Sequence, residues 1–188
     1  MRRLILIATA LLFVVAACTD DGDNTSATAV GAVEFGTAAP AFNADLDWIN
    51  AADSIDLSGT VTLVHFWRQS CLTCLDTVAE IEILQAQFGT ALTVVGVHSP
   101  KFPREVDADV VRSAVQQLGY PGLVVNDADR AIWNDWGIQA WPTVAVVDSE
   151  GNLAGGHVGV GAAAALRPLL EDMVAAAPGT GAIPTGLG

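Results

Sequence analysis

Continuous apolar runs alternate with amphipathic stretches through the middle of the chain. Two of these runs, Val61–Trp67 and Leu92–His98, are rich in β-branched and aromatic residues and predict strands that are buried on both faces. Between them, apolar residues recur three to four positions apart over residues 71–88, which predicts a helix. Further helices are predicted over residues 107–119, 127–137 and 162–177, from acidic residues at the start of a segment, a glycine at its end or apolar residues at helical spacing.

Towards the end of the chain, two strands follow each other without a helix between them. Residues 143–148 and 153–159 are strand-like and are separated by the turn sequence "SEGN", which predicts a hairpin instead of a crossover. A short strand is also predicted over residues 122–126. The order β-α-β-α-(β-α)-β-β-α predicts an α/β fold in which a mixed central sheet carries helices on both faces. Pro168 is expected to kink or interrupt the final helix.

The N-terminus carries a targeting pattern. Arg2 and Arg3 precede an apolar run that ends in small residues and Cys18, as in a secretory signal peptide. The run is shorter than the roughly 20 residues that span a membrane; an uncleaved N-terminal anchor is the alternative. Its last residues, "VAAC", resemble the lipobox of bacterial lipoproteins. That resemblance implies that residues 1–17 are a signal peptide and that Cys18 is lipidated. The protein would then be extracytoplasmic and lipid-anchored to the cell membrane, in a bacterial periplasm or at the outer face.

Composition divides the rest of the chain into three parts. Residues 18–35 are small, polar and acidic, which is typical of a flexible tether, and residues 178–188 are rich in glycine and proline, which favours a disordered tail. Residues 36–177 are long enough for one domain with its own core. Once the signal peptide is removed with two of the 8 basic residues, 21 acidic and 6 basic residues remain. Such a surface repels phosphate backbones, so no nucleic-acid partner is expected.

The candidate chemistry lies in the sequence "SCLTC", between the first long strand and the first helix. Ser70 is the expected N-cap, which places Cys71 where free N–H groups and the helix dipole favour a thiolate. At such positions the pKa of a cysteine falls from about 8.5 to about 3.5–7.5. Cys74 lies one turn deeper on the same face, close enough for a disulfide. The pair is predicted to be a redox-active disulfide in which Cys71 attacks and Cys74 resolves, and no other cofactor is expected.

Two other roles for the cysteine pair stay open. Zinc needs four ligands, and His65, His98 and His157 are isolated from one another in the sequence, so no metal site is expected. A purely structural disulfide across so short a loop would constrain little of the unfolded chain. Redox exchange is therefore the preferred interpretation.

Several motifs, in order, resemble the thioredoxin superfamily and, within it, the TlpA/ResA-like extracytoplasmic branch. They are "FW" ahead of the cysteines, "CLTC" at a helix start, "WPT" before the hairpin, and a terminal helix. The stretches "GVHSPKF" and "VVNDAD" resemble, more specifically, the thioredoxin-like domain that precedes NHL-repeat propellers. The resemblance covers about residues 36–172 and implies a thioredoxin-like fold and a thiol–disulfide oxidoreductase. The partners that it implies are protein thiol or disulfide clients and a membrane electron donor.

The resemblance also assigns roles to residues around the cysteine pair. It implies that Pro142 is a cis-proline packed against the cysteines, with a part in catalysis, and that Trp141 and Trp67 contribute to substrate binding. The alternative for Trp141 is a core aromatic residue. His65 occupies the place of a buried acid that moves a proton to and from the second cysteine in many thioredoxins. His65 is thus a candidate catalytic proton relay for Cys74, and the alternative is a neutral core histidine bonded to the backbone.

Three functions compete with thiol–disulfide exchange. A thioredoxin-like binding module with a structural disulfide would suit the acidic surface and its tryptophans. Copper handling, as in Sco-like proteins, would need His157 as a third ligand, and the cysteine spacing is one residue short of theirs. A peroxidase is disfavoured because its usual Pro and Thr are absent before Cys71. Nearby, Arg68 either raises the positive potential or is a solvated charge, and His98 is expected to anchor the loop that follows it.

Overall fold

The computed structural model describes residues 29–42, 46–50 and 56–176. The predicted signal peptide, the lipidation site Cys18 and the predicted tail lie outside these ranges, as does most of the tether. Within the described ranges, no helix combines the length and the apolar character that a membrane crossing requires.

Eight strands and four α-helices follow one another along the described residues. The strands are β1 (Ala29–Val30), β2 (Val33–Glu34), β3 (Asp47–Trp48), β4 (Val61–Trp67), β5 (Leu92–His98), β6 (Leu123–Asn126), β7 (Thr143–Val147) and β8 (Leu153–Val158). The helices are α1 (Leu72–Phe88), α2 (Ala108–Leu118), α3 (Ala131–Asp135) and α4 (Ala162–Ala176). A short 3₁₀ turn, Gly89–Ala91, follows α1, and a second one, Pro103–Glu105, precedes α2.

Six of the strands form one mixed sheet in the order β3-β6-β5-β4-β7-β8. β4, β5 and β6 run parallel, whereas β7 is antiparallel to β4 and β8 is antiparallel to β7. β1 and β2 pair separately as a two-stranded sheet. The mixed central sheet and the β7–β8 hairpin predicted from the sequence are confirmed.

All seven residues of β4 are buried, because both faces of the strand are covered. In one core cluster, β4 packs with side chains of α1 and α4, including Ile81 and Leu170. In the other, Phe66 packs with Trp133 of α3 and with Phe42. Each fully buried side chain of this size contributes about 1.5–3 kcal/mol. The turn that follows β4 therefore starts from a firmly packed strand.

α3 is shorter than the helix predicted over residues 127–137. The carboxylate of Asp127 accepts hydrogen bonds from the N–H groups of Ile132 and Trp133 at 2.9 and 3.0 Å. Arg130 precedes the helix in a left-handed conformation, with φ of 62°. The first residues of the predicted helix therefore form a turn that caps α3.

Two further details depart from the sequence pattern. α4 continues through Pro168, so an interruption of the helix is not found there. β1, β2 and β3 are not predicted, since strands of two residues are too short to show an alternation of apolar and polar positions.

Candidate redox site

The cysteines of "CLTC" lie between the end of β4 and the first turn of α1. Cys71 and Cys74 form a disulfide, with their Cα atoms 5.2 Å apart. Residues 68–71, which connect β4 to the helix, are called the redox turn below. In the part of the chain that the structure describes, no three or more His, Cys, Asp or Glu side chains are grouped to hold a metal ion. The predicted pairing of the two cysteines is confirmed.

Cys71 itself is the N-cap of α1, which corrects the prediction that Ser70 has this role. The Cys71 Sγ accepts a hydrogen bond from the N–H of Cys74 at 3.2 Å and lies 3.3 Å from the hydroxyl oxygen of Thr73. Both groups can donate to a negatively charged sulfur, and the positive end of the helix dipole adds to their effect. The local structure therefore favours a thiolate at Cys71 once the disulfide is open.

The two sulfur-bearing residues differ in their access to solvent. Cys71 keeps 7% of its surface exposed, whereas Cys74 keeps none. The side chain between them in the sequence, Leu72, is 79% exposed, so apolar surface borders the accessible cysteine. Of the pair, Cys71 is therefore the residue that a substrate can reach.

A buried carboxylate that the sequence pattern does not reveal holds the redox turn in place. Glu105 has no exposed surface. Its Oε1 accepts a hydrogen bond from the hydroxyl of Ser70 and lies 3.5 Å from Nη1 of Arg68. Its Oε2 accepts hydrogen bonds from the backbone N–H groups of Lys101 and Phe102 at 2.8 and 3.1 Å. One carboxylate thus joins the redox turn to the loop after β5.

The charge of Glu105 is set by these contacts. Desolvation alone would raise the pKa of the carboxyl, but the hydrogen bonds from Ser70 and from two backbone N–H groups, together with Arg68, lower the pKa below its usual value. Glu105 is therefore ionised at neutral pH. Arg68, whose side chain is 15% exposed, is its ion-pair partner and not a freely solvated charge. Glutamate side chains are usually exposed, so the sequence does not indicate that Glu105 is buried. Pro103 indicates the local turn but not the burial of the carboxylate.

His98, at the end of β5, holds the redox turn from a second side. Its Nε2 makes a hydrogen bond with the side-chain oxygen of Gln69 and lies 3.4 Å from the backbone nitrogen of the same residue. Burial lowers the pKa of His98 to about 4, although the negative charge of Glu105 acts in the opposite direction. The imidazole is therefore neutral at neutral pH. It anchors the turn before Cys71, whereas the sequence suggested the loop after His98.

His65 lies within β4 and has no exposed surface. Its Nδ1 is hydrogen-bonded to the hydroxyl of Tyr120 at 3.0 Å. Tyr120 fits there because Gly96, the partner of His65 in β5, has no side chain: a Cβ at Gly96 would stand 2.7 Å from the tyrosine ring. Burial lowers the pKa of His65 to about 3, so its imidazole is neutral. Its Nε2 has no hydrogen-bond partner among the described residues.

Trp67 lies in the core and not at the protein surface. Its side chain has no exposed surface, its ring stacks on Tyr120 with the ring centroids 5.2 Å apart, and it meets His98 edge to face at 5.2 Å. A side chain in this position cannot contact a client. The burial corrects the assignment of Trp67 to substrate binding. Trp67 instead packs against His98, which holds the redox turn.

Trp141 and Pro142 directly precede β7, which is the neighbour of β4 on the side away from β5. The Trp141–Pro142 peptide bond is cis, as the resemblance implied. Trp141 is partly exposed and packs on Trp133 with the ring centroids 4.1 Å apart. The guanidinium carbon of Arg68 lies 5.5 Å from the centre of the Trp141 ring. The aromatic residue before the proline is therefore a neighbour of the redox turn.

Most of the described chain resembles a known protein family and its relatives. The Redoxin family model matches residues 34–167. The chain is 39% identical over 145 residues to Protein SUPPRESSOR OF QUENCHING 1, chloroplastic, of Arabidopsis thaliana, which covers 75% of this chain and 13% of that protein. It is 34% identical over 128 residues to NHL repeat-containing protein 2 of Gallus gallus, which covers 65% of this chain and 18% of that protein. The chain therefore spans less than a fifth of the length of either relative.

Solved structures show the same fold. The exposed lipoprotein thioredoxin Etrx1 of Streptococcus pneumoniae strain TIGR4 superposes with a TM-score of 0.58 at 23% identity, over 68% of this chain and 96% of that one. This likeness confirms the predicted thioredoxin-like fold. The match to an NHL repeat-containing protein supports the superfamily that the sequence motifs indicated.

Proposed function

The chain belongs to the Redoxin family, and on that basis we propose that it is a lipid-anchored, extracytoplasmic thiol–disulfide oxidoreductase that acts on protein clients. The family match and the likeness to a thioredoxin support an oxidoreductase. The observation that carries the proposal is the asymmetry of the cysteine pair. Cys71 is accessible and its sulfur is the N-cap of α1, whereas Cys74 is fully buried behind it.

The exchange takes two steps. In the first, the Cys71 thiolate attacks one sulfur of a client disulfide, so that a Cys71–client disulfide forms and the other client cysteine leaves and takes up a proton. In the second, the Cys74 thiolate attacks the Cys71 sulfur, which closes the Cys71–Cys74 disulfide and releases the second client thiol. Two electrons pass from the protein to the client, and the reverse sequence oxidises a client dithiol. The reduction potential decides the direction in the cell.

Three residues are proposed to assist the exchange. Trp141 is a neighbour of the redox turn through Arg68, and Trp141 and Pro142 are proposed to receive an extended client backbone beside Cys71. His65 is proposed to exchange a proton with Cys74 when the disulfide opens. Its unpaired Nε2 leaves a site that can accept a proton, whereas burial lowers the pKa of His65 to about 3, which makes the imidazole a weak base and its charged form short-lived. A pH profile of the exchange rate that is the same in His65→Ala and in wild type would argue against this role.

The proposed location rests on the sequence before the described residues. An apolar run after two arginines ends at Cys18, and an acidic stretch follows it. A lipid on Cys18 would keep the domain close to a membrane electron donor, which we propose as its redox partner. Fractionation of cells tests the anchor: wild type should be recovered with membranes, and Cys18→Ser should be released. A Cys18→Ser variant that stays with the membranes contradicts lipid anchoring.

Reduction of insulin disulfides tests the activity. Wild type with dithiothreitol as electron donor should accelerate the reaction, and Cys71→Ser should abolish the acceleration. Cys18→Ser is the matched control, because it makes the same substitution at the third cysteine of the chain and should keep the wild-type rate. If Cys71→Ser reduces insulin as fast as wild type, the domain is better described as a binding module with a structural disulfide.

A further inference from the structure

Positive charge is concentrated next to the redox turn. The described residues contain six lysines and arginines. Four of these six lie over aromatic rings, and they are Arg68, Lys101, Arg104 and Arg130. The rings belong to Phe102, Trp133 and Trp141. We call these four cations and three rings the cation–aromatic patch.

Two arginines join the patch into one surface. The guanidinium carbon of Arg68 lies 5.5 Å from the ring centre of Phe102 and 5.5 Å from that of Trp141. Arg130 lies 4.5 Å from the ring centre of Trp133 and 5.2 Å from that of Trp141. Contacts of this length are within the range of cation–π attraction. Trp141 is thus shared by both arginines and connects the loop after β5 to the start of α3.

Much of the positive charge in the patch is not neutralised. Arg68 is paired with the buried Glu105. Lys101, Arg104 and Arg130 have no carboxylate oxygen within 4.0 Å in the described ranges. Lys101 and Arg104 are exposed, and Phe102 between them is 42% exposed. On a chain with a net charge of −13, this leaves a local positive surface with an apolar ring at its centre.

The patch adjoins the reactive sulfur through the backbone. The carbonyl of Arg68 accepts a hydrogen bond from the N–H of Cys71 at 3.2 Å. Trp141, the other ring beneath the Arg68 guanidinium, lies next to the same turn. A polypeptide whose cysteine reaches Cys71 therefore extends across residues of the patch.

We propose that the cation–aromatic patch recognises an acidic segment of the client next to the client's reactive cysteine. The proposal rests on the proposed function and adds a substrate class to it. Asp and Glu side chains would pair with the cations, and the exposed Phe102 ring would contact the aliphatic parts of the segment. A short acidic segment fits better than a nucleic acid or an anionic membrane, because the rest of the protein surface is acidic and repels an extended array of phosphates.

Two disulfide-linked fluorogenic peptides test this specificity. They share one sequence except for four residues beside the cysteine, which are Glu in one peptide and Gln in the other. At low ionic strength, reduced wild-type protein should react about tenfold faster with the Glu peptide, a difference of the size that electrostatic steering produces. The ratio of the two rates should fall towards one as salt is added.

Two double variants with equal charge changes locate the effect. Lys101→Gln/Arg104→Gln removes two exposed cations of the patch, and its rate ratio should fall to about one to twofold. Arg112→Gln/Arg167→Gln removes the two basic residues that lie outside the patch in the described part of the chain, and it should keep the wild-type ratio. The rate with the Gln peptide should stay unchanged in Arg112→Gln/Arg167→Gln, since neither arginine belongs to the patch or contacts the cysteines.

The outcomes separate this inference from the proposed function. Equal rates for the two peptides in wild type, or a ratio that survives in Lys101→Gln/Arg104→Gln, would overturn the recognition of acidic segments and leave the oxidoreductase intact. If wild type reacts with neither peptide, the proposed function fails, and the inference that rests on it fails as well.

Discussion

Replacing Glu105 with glutamine removes the buried negative charge to which the redox turn is attached. The carboxylate accepts hydrogen bonds from Ser70 and from two backbone N–H groups, and it is the ion-pair partner of Arg68. Removal of one member of a buried pair costs about 3–5 kcal/mol, because the other charge is left without compensation. Arg68 is 15% exposed and regains some hydration, so the lower end, about 3 kcal/mol, is expected.

Urea unfolding at pH 7 measures this loss. The urea midpoint should fall in Glu105→Gln, while the slope of the free energy of unfolding against urea concentration stays the same. This combination identifies a change in stability. Glu82→Gln is the matched control: it makes the same substitution at an exposed position of α1 and should change the free energy of unfolding by less than about 0.5 kcal/mol. In the Glu105→Gln background, Arg68→Gln should cost less than in wild type, since the two residues are coupled.

A small effect would refute the reasoning. If Glu105→Gln lowers the free energy of unfolding by less than about 1 kcal/mol, Glu105 does not act as a buried, ionised anchor. Equal costs of Arg68→Gln in both backgrounds would show that the ion pair carries no stability, whatever the total loss in the single variant.

Three further outcomes follow from the buried groups around the cysteines. Because burial holds the pKa of His65 at about 3 and that of His98 at about 4, the unfolded chain binds protons that the folded protein does not. The free energy of unfolding should therefore decrease as the pH is lowered from about 6.5 to about 4, by up to about 1.4 kcal/mol per pH unit for each histidine. His65→Gln should remove the contribution of His65 to this pH dependence; an unchanged pH dependence would contradict the burial of a neutral His65. Gly96→Ala should destabilise the protein by about 1–3 kcal/mol in urea unfolding, because the added Cβ would meet Tyr120 at 2.7 Å; a neutral substitution would contradict this packing. Iodoacetamide should alkylate Cys71 of the reduced protein faster than free cysteine at pH 7, as measured by mass spectrometry, and an equal or slower rate would count against a stabilised thiolate.

The long elements were predictable because each carries its own signal. β4 and β5 are continuous apolar runs, and α1 repeats its apolar residues at the helical period. The cysteine pair could also be located, since the spacing "CLTC" at a strand–helix junction is informative without any distant contact. These features depend on neighbours in the sequence.

The supporting residues of the site could not be predicted in the same way. Glu105 is 35 residues from Ser70 in sequence, and no local pattern indicates that such a carboxylate is buried. The N-cap prediction was wrong for the same reason. The Ser70 hydroxyl donates its hydrogen bond to Glu105, and the sulfur of Cys71 caps α1 instead. Trp67 was misassigned because it is close to the cysteines in sequence, although strand packing directs its ring into the core.

Trapping of the mixed disulfide tests the central claim most directly. Reduced Cys74→Ser lacks the resolving thiol, so incubation with a disulfide-linked client peptide should yield a covalent adduct at Cys71, located by mass spectrometry after proteolysis. Cys71→Ser should yield no adduct, because Cys74 is buried, and thermal unfolding should show that both variants are folded. Adducts of equal yield in the two variants, or none in Cys74→Ser, would contradict the assignment of Cys71 as the attacking residue.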